Sequence, residues 1–305
     1  MNTERGLFCE PGNFYLDPKK SVETAVVSHA HKDHYNNDCA KFFCTPLTST
    51  LIQARENLNP NLFNSFEFSE QFEINGVELK FIPAGHILGS AQVWMKYEDI
   101  TYLYTGDIKT QADSSCEPFE FGKCDVLICE TTFANPTTKH PNASEEILKL
   151  KELENHNVAI GTYALGKTQR VLSLINEFLP DREVFIHRNS VKFNKIYERA
   201  GFVLGNYEPY NRKSFKRSQN GIYLLPPGYL IGFGGRGDCY KVLATGWKAK
   251  HKHNSLSLVI SDHSDWDEIV NVIDKSNCSE IWTVHGDGCF VKEHYGTQKK
   301  VKFLA

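Results

Sequence analysis

Among the nine cysteines of this chain no Cys-x-x-Cys occurs, and the count is odd. That excludes a recognisable disulfide framework and leaves reduced, mostly packing thiols, as expected of a cytoplasmic protein. No apolar run reaches the roughly 18 residues that a membrane span needs. The start, Met1-Asn2-Thr3-Glu4-Arg5, lacks the apolar core of a signal peptide. A strong overall charge is also missing, since the formal net charge is −3. What remains is the composition of a soluble globular protein, and 305 residues give room for one large domain or two modest ones.

The charge is nevertheless unevenly spread. Between residues 187 and 253 there are thirteen Lys or Arg and only three acids, Glu198, Glu208 and Asp238. The remainder is correspondingly acidic. A basic segment joined to an acidic one suits a partner with a phosphate backbone, although a solvated basic face would look the same.

The densest chemical signal is Ser28-His29-Ala30-His31-Lys32-Asp33-His34. It follows residues 23–28, a short β-branched apolar run that reads as a buried strand. The cluster therefore leaves a strand end, where open α/β sheets place their ligand sites. Imidazoles and carboxylates are what zinc and similar divalent ions take as ligands. His29 and His31 can grip one ion, and Asp33 with His34 a second. Neither shell is complete, so further ligands have to come from later in the chain.

Such residues recur at predicted strand ends. Residues 6–20 read as two strands around Pro11-Gly12. Asp17 at the end of the second either orients the histidine loop or is a turn residue ahead of Pro18. A strand at 41–44 leads to a helix opened by Thr45-Pro46 and running to about Asn57. Residues 66–68 and 71–83 alternate as strands, with a hairpin at Asn75-Gly76, and release His86 between glycines. Strands at 92–97 and 100–104 deliver Asp107, and 125–129 delivers Glu130. A helix capped by Ser144 is expected over 144–155. Late in the chain, a strand at 256–260 ends in Asp262-His263, a helix covers 266–275, and a strand at 280–284 ends in His285.

The middle of the chain carries a different pattern. Residues 157–160 form a strand that runs into Gly161-Thr162-Tyr163-Ala164-Leu165-Gly166-Lys167-Thr168 and then a helix to about Leu179. In letters and context this is a nucleotide-binding P-loop. An ATPase would need its own magnesium-binding aspartate, so the expectation is that Lys167 and Thr168, with Arg170 and Arg236, hold a nucleic-acid phosphate. Tyr163 either stacks on a base of a single strand or, as is commoner for a single aromatic, packs into the core. A strand–helix unit is expected at 185–186 and 191–200, a loop or edge over 205–220, and strands at 229–233 and 240–244.

With these motifs in view, the sequence resembles the metallo-β-lactamase fold, and more narrowly the β-CASP nucleases that cut DNA or RNA. The likeness runs in order through His29-Ala30-His31-Lys32-Asp33-His34, through His86 in Gly85-His86-Ile87-Leu88-Gly89-Ser90-Ala91, then Asp107, Glu130, His263 and His285. Three shorter stretches, Arg5-Gly6-Leu7-Phe8-Cys9 on through Asp17-Pro18, Ala244-Thr245-Gly246-Trp247, and Ser261-Asp262-His263-Ser264-Asp265-Trp266, are similar to bacterial exonucleases associated with ATP-dependent DNA ligases. The resemblance implies an αββα sandwich with a short β-CASP-like α/β insert, the metal-binding domain spanning 1–156 and 251–305 and the insert 157–250. It implies two divalent ions, zinc or else manganese. His29, His31 and His86 would hold one, Asp33, His34 and His285 the other, with Asp107 between them. Asp33 and Asp107 would then count as catalytic together with His263, which would protonate the leaving oxygen, and Glu130, which would orient that histidine. The implied activity is phosphodiester cleavage, most simply by a DNA exonuclease working with a ligase or helicase repair system and away from membranes.

Three other readings share parts of the pattern. An RNA-processing nuclease of the same fold keeps every motif. A thioester hydrolase keeps the metal motif but has no use for the basic insert. A catalytically silent nucleic-acid binder would have tolerated loss of ligands that are all present here.

Overall fold

The computed structural model describes residues 2–234, 239–247 and 256–304. The chain divides into two compact units, Met1–Lys139 with His263–Ala305, and His140–Asp262. The second unit is thus longer at both ends than the insert expected at 157–250.

The first unit is two sheets packed face to face. In one, strands Asn2–Thr3, Gly6–Cys9 and Phe14–Leu16 run antiparallel, and Phe14–Leu16, Thr24–Val26, Lys41–Cys44 and Phe63–Ser65 run parallel. In the other, an antiparallel meander of Gln71–Ile74, Val77–Pro83, Ala91–Tyr97 and Ile100–Tyr104 continues into parallel Val126–Glu130, Glu280–Val284 and Lys300–Phe303. The period of two along each strand sorts side chains into layers. Phe14, Leu16 and Val26 of the first sheet meet Leu79, Phe81, Val93, Tyr104 and Ile128 of the second in the central core. Leu103, Leu127, Cys129 and Ile281 point the other way, against Trp266, Ile269 and Ile273 of the helix Trp266–Ser276 and Val291 and Tyr295 of the helix Cys289–Tyr295. Val126–Glu130 is buried throughout because it is covered on both faces. The helix Pro46–Glu56, capped by Thr45 and closed by a left-handed Asn57, turns Leu51 and Ile52 inward. This is an αββα sandwich.

The second unit is an all-parallel sheet in the order Glu208–Pro209, Val184–Ile186, Ile222–Leu225, Val158–Gly161, Tyr240–Thr245, Leu256–Val259. Helices Lys167–Phe178 and Arg188–Arg199 follow its strands.

Several local expectations change. The helix expected at 144–155 is instead Ala143–Leu148, capped by Asn142 rather than Ser144, and it tightens into a 3-10 turn at Lys149–Leu153. Residues 66–68 form no strand, and only a bridge from Phe68 to Phe81 remains. The polar stretch 205–220 contains a helix, Arg212–Ser218, capped by Asn211 and anchored by Phe215. The strand expected at 229–233 is replaced by the helical turn Pro227–Leu230, which follows the strand Ile222–Leu225.

Candidate metal centre and its surroundings

Parallel strands release their following residues at one edge of a sheet. In the first unit Thr24–Val26 is followed by the 28–34 loop, Val77–Pro83 by His86, Ile100–Tyr104 by Asp107, Glu280–Val284 by His285, and Val126–Glu130 ends on Glu130 itself. Glycines make the close turns possible. Gly106 has φ +55°, and a Cβ there would lie 2.7 Å from Cβ of Ser28, so the Asp107 turn passes directly against the histidine loop.

The convergence centres on Asp107, which is buried. Its Oδ2 lies 3.3 Å from Nε2 of His34, 3.6 Å from that of His29, 3.7 Å from that of His86 and 3.8 Å from that of His263. Its Oδ1, and Nε2 of His29, are buried without a hydrogen-bond partner. Nδ1 of His31 is 3.0 Å from Nε2 of His86. His29, His31, His86 and Asp107 form one group with ligand atoms within 4.8 Å of one another, and His34, Asp107 and His285 another. Asp33 joins neither group. Its side chain is 83% exposed and its Oδ2 lies 3.9 Å from Nε2 of His34.

Electrostatics agrees with a centre arranged for cations. Burial, reinforced by the rings of His34 and His86, holds His29 well below the usual imidazole range and so favours the neutral ring that a metal ion takes as ligand. Burial alone would raise Asp107, but the rings of His34 and His263 outweigh it and keep the carboxyl well below its ordinary value. An imidazole lone pair and a carboxylate oxygen, buried and unsatisfied a few ångströms apart, are costly unless something positive sits between them. This donor set fits divalent ions such as zinc.

A ring of supporting groups fixes these donors. Asp17 accepts from the Ser28 backbone N–H at 2.7 Å, the Ser28 hydroxyl at 2.5 Å and the Tyr104 hydroxyl at 2.9 Å, and its Oδ2 lies 2.7 Å from Nδ1 of His34. Of its two sequence readings, orienting the histidine loop is therefore the one the geometry favours. Burial tends to lower His34, but Asp107 and Asp17 raise it well above the ordinary value. Asp17 and His285 both hold left-handed backbone conformations, φ 42° and 56°, uncommon for non-glycine residues and frequent at strained functional sites. Glu130 is fully buried; both its oxygens lie 3.0 Å from Nδ1 of His263, and Oε1 accepts from the Ile108 N–H at 2.8 Å.

Tyr104, Lys109 and Asp113 were not anticipated. Tyr104 also lies 3.5 Å from Nε2 of His285. Lys109 is buried, ion-paired to Asp113, and reaches the His86 carbonyl at 3.4 Å. No local pattern in the sequence distinguishes Tyr104 from Tyr102. Both point to the same face of the strand; position along it separates them, with Tyr104 buried in the central core while Tyr102 packs at its margin.

The residues expected to bind phosphate are placed otherwise. Lys167, Thr168 and Arg170 are 3%, 1% and 2% exposed. The Lys167 ammonium donates to the Ile260 carbonyl and pairs with Asp262 at 3.0 Å, Arg170 donates to the Ser261 carbonyl, and the Thr168 hydroxyl donates to the Tyr163 carbonyl at 2.7 Å. Lys167 and Arg170 tie the helix Lys167–Phe178 to the end of the last strand of their own sheet, Thr168 closes the loop ahead of the helix, and none of the three is displayed to a ligand. Arg236 lies outside the described residues. Among the described residues no helix is long and apolar enough to cross a membrane.

No family model matches the chain. Among characterised proteins it is 28% identical over 303 residues to a probable DNA ligase of Opitutus terrae, covering 92% of this chain and 28% of that protein. It is 30% identical over 203 residues to an RNase J-like protein of Methanocaldococcus jannaschii, covering 57% and 48%. It is 24% identical over 278 residues to the 5′ exonuclease Apollo of Gallus gallus, covering 87% and 59%. The chain thus spans between about a quarter and three fifths of these relatives' own lengths. In sequence the chain is similar to these nucleic-acid enzymes, and its αββα sandwich with strand-end histidines and aspartates agrees with the metallo-β-lactamase/β-CASP likeness of its motifs.

Proposed function

We propose that this protein is a dinuclear-metal phosphodiesterase that cleaves nucleic acid, and that its substrate is DNA, degraded from an end during repair or processing in the cytoplasm. The observation that carries the reading is the buried Asp107, with four imidazole Nε2 atoms within 3.8 Å of one oxygen and no hydrogen-bond partner on the other. In this reading His29, His31 and His86 hold one ion, His34 and His285 the other with Asp33 at the exposed rim, and Asp107 reaches both. Zinc suits the donors, and manganese is the other candidate. Bound there, the ions would supply the Lewis acidity that in-line phosphodiester cleavage uses.

The protein's own groups supply the rest. Glu130 occupies Nδ1 of His263, so Nε2 is the atom left to move a proton. A protonated His263 held in this way would be the form that donates to a leaving oxygen. Asp17 fixes the ring of His34 so that its Nε2 faces Asp107.

DNA is favoured because relatives matched over 92% and 87% of this chain are described as a probable DNA ligase and a 5′ exonuclease. The ligase match also suggests that the enzyme works beside a DNA ligase. The RNase J-like relative supports RNA as the second reading. The test is to incubate metal-analysed protein with end-labelled single-stranded DNA, duplex DNA and RNA, and with a thioester as a control. Stepwise shortening of DNA that chelation abolishes is expected. A ladder on RNA alone would select the second reading, and thioester hydrolysis without nucleic-acid cleavage would overturn both.

A further inference from the structure

The parallel sheet of the second unit has its own carboxyl edge, and that edge presents aromatic rings to solvent. Tyr163 follows Val158–Gly161 and is 67% exposed; Tyr229 and Ile231 follow Ile222–Leu225 and are 57% and 74% exposed. His187 follows Val184–Ile186, and its ring stacks on that of Tyr229 with centroids 5.1 Å apart and planes 27° apart. These are three adjacent strands, in register at Ile160–Leu224 and Ile186–Leu224. Gly161 permits the closeness of the first two: a Cβ there would lie 3.1 Å from Leu230 and 3.5 Å from Pro227, so the turn carrying Tyr229 sits over the strand end that leads to Tyr163.

The platform is rigid. Nδ1 of His187 accepts the Asn189 N–H at 3.2 Å and so caps the helix Arg188–Arg199, which fixes the ring. Pro226 and Pro227 fix the turn before Tyr229. A single exposed tyrosine needs no explanation. Two exposed tyrosines and a pinned stacked histidine across three strand ends, where open α/β sheets bind their ligands, call for one.

Beside the platform the same helix carries a cationic stripe. Arg188, Lys192, Lys195 and Arg199 are all exposed at spacings of four, three and four, which puts them on one face, while Phe193, Ile196 and Tyr197 are buried on the other. We propose that this edge is a binding site for single-stranded nucleic acid, with unpaired bases stacking on Tyr163 and the His187–Tyr229 pair and the phosphate backbone running along the Arg188–Arg199 stripe. Bases inside a duplex are already stacked on each other and cannot enter such a platform, so the site selects single strands. The proposal rests on the nucleic-acid reading above and specifies the strandedness of its substrate.

The experiment is fluorescence anisotropy with the full chain in chelator, so that cleavage plays no part, using a labelled oligothymidylate and a duplex of equal length. Tyr229→Ala and Tyr163→Ala are each expected to weaken single-strand binding about tenfold and to leave duplex binding within twofold. Tyr229→Trp, which keeps the stack, is expected to restore it. Lys195→Glu with Arg199→Glu should weaken both ligands and lower the single-strand salt slope by about 1.4. Unchanged single-strand affinity in both alanine variants, or equal losses on single strand and duplex, would overturn the platform and leave the nuclease reading intact. A wild-type chain that neither binds nor cuts any nucleic acid would instead remove the nuclease reading itself.

Discussion

The 28–34 loop in one unit and the 162–167 loop in the other are built alike. Each leaves the end of a short buried strand, each runs into helical backbone, and each carries the letters of a ligand site. They differ in what is left over after folding. Around the first, Nε2 of His29 and Oδ1 of Asp107 stay buried and unpaired. Around the second, Lys167 has an ion-pair partner and a carbonyl, Thr168 has a carbonyl, and Arg170 has a carbonyl, all from within its own unit. A fold tolerates a buried polar group without a partner only where something outside the chain completes it, or where the cost is met elsewhere. A motif therefore indicates where to look, and metal-type donors left over together at one point favour a ligand there.

The sharpest way to break this contrast lies at the first loop. His263→Ala removes the one nitrogen that Glu130 prepares for proton transfer, and turnover on oligonucleotides should fall by about 10²–10⁴ while metal content measured by mass spectrometry stays at the wild-type value. Loss of metal in that variant would move His263 from proton transfer to ligation. At the second loop the effect should be on folding. Lys167→Ala leaves the carboxylate of Asp262, 7% exposed, without its nearest cation. Breaking one side of a buried pair costs about 3–5 kcal/mol, visible in urea unfolding. Titration calorimetry should find no binding of ATP or inorganic phosphate to the wild-type protein that the substitution removes. A stable Lys167→Ala that had lost a phosphate site would restore the P-loop reading and end the comparison.

These two loops also show what the sequence could reveal. Strand ends are legible because apolar alternation stops there, and so the rim carrying His29, His34, His86, Asp107 and His285 could be read as a set of termini before any geometry was known. The hairpin at Asn75-Gly76 and the helix Trp266–Ser276, with its Asp265 cap and Glu268 reaching back, were legible for equally local reasons. The partners of Lys167 were not, because Ile260, Ser261 and Asp262 come from the far end of the unit and a buried ion pair leaves no local trace. The helix Arg212–Ser218 was missed because only Phe215 is buried in it, too little to show a helical period. Asp17 and His285 are residue types that take left-handed conformations more often than most, but nothing local in the sequence singles out these two.

A smaller and more selective test concerns the ring of supports. Tyr104→Phe deletes only a hydroxyl, which touches Asp17 on one side and faces His285 on the other. Groups that orient ligands typically contribute 10–100-fold to metal affinity. The expected result is one weakened metal equivalent, on the His34 and His285 side, and a second that titrates as in the wild type. Equal weakening of both would mean that Tyr104 braces the whole rim.

The smallest effect is expected where a carboxylate has all it needs. Glu280, at the other end of the strand that delivers His285, is bonded to the Trp282 indole at 2.6 Å and paired with Lys302 at 2.6 Å and Lys300 at 3.2 Å. Its slight burial tends to raise its pKa, but hydrogen bonds from Lys302, Trp282 and Lys300 outweigh that and bring it from 4.5 to about 2. A carboxylate depressed by folding stabilises the protein above its unfolded value, and that contribution fades as pH falls from about 4.5 towards 2. Glu280→Gln should therefore flatten the acid side of the stability curve in that window. Near neutrality it should cost no more than about 1 kcal/mol, because the lysines are half exposed and solvent screens them. Unlike Asp107, this carboxylate has no unpaired oxygen, so adding divalent ions should not change its contribution. A metal-dependent shift in the Glu280→Gln stability difference would show that paired and unpaired carboxylates cannot be told apart in the way the two loops suggest.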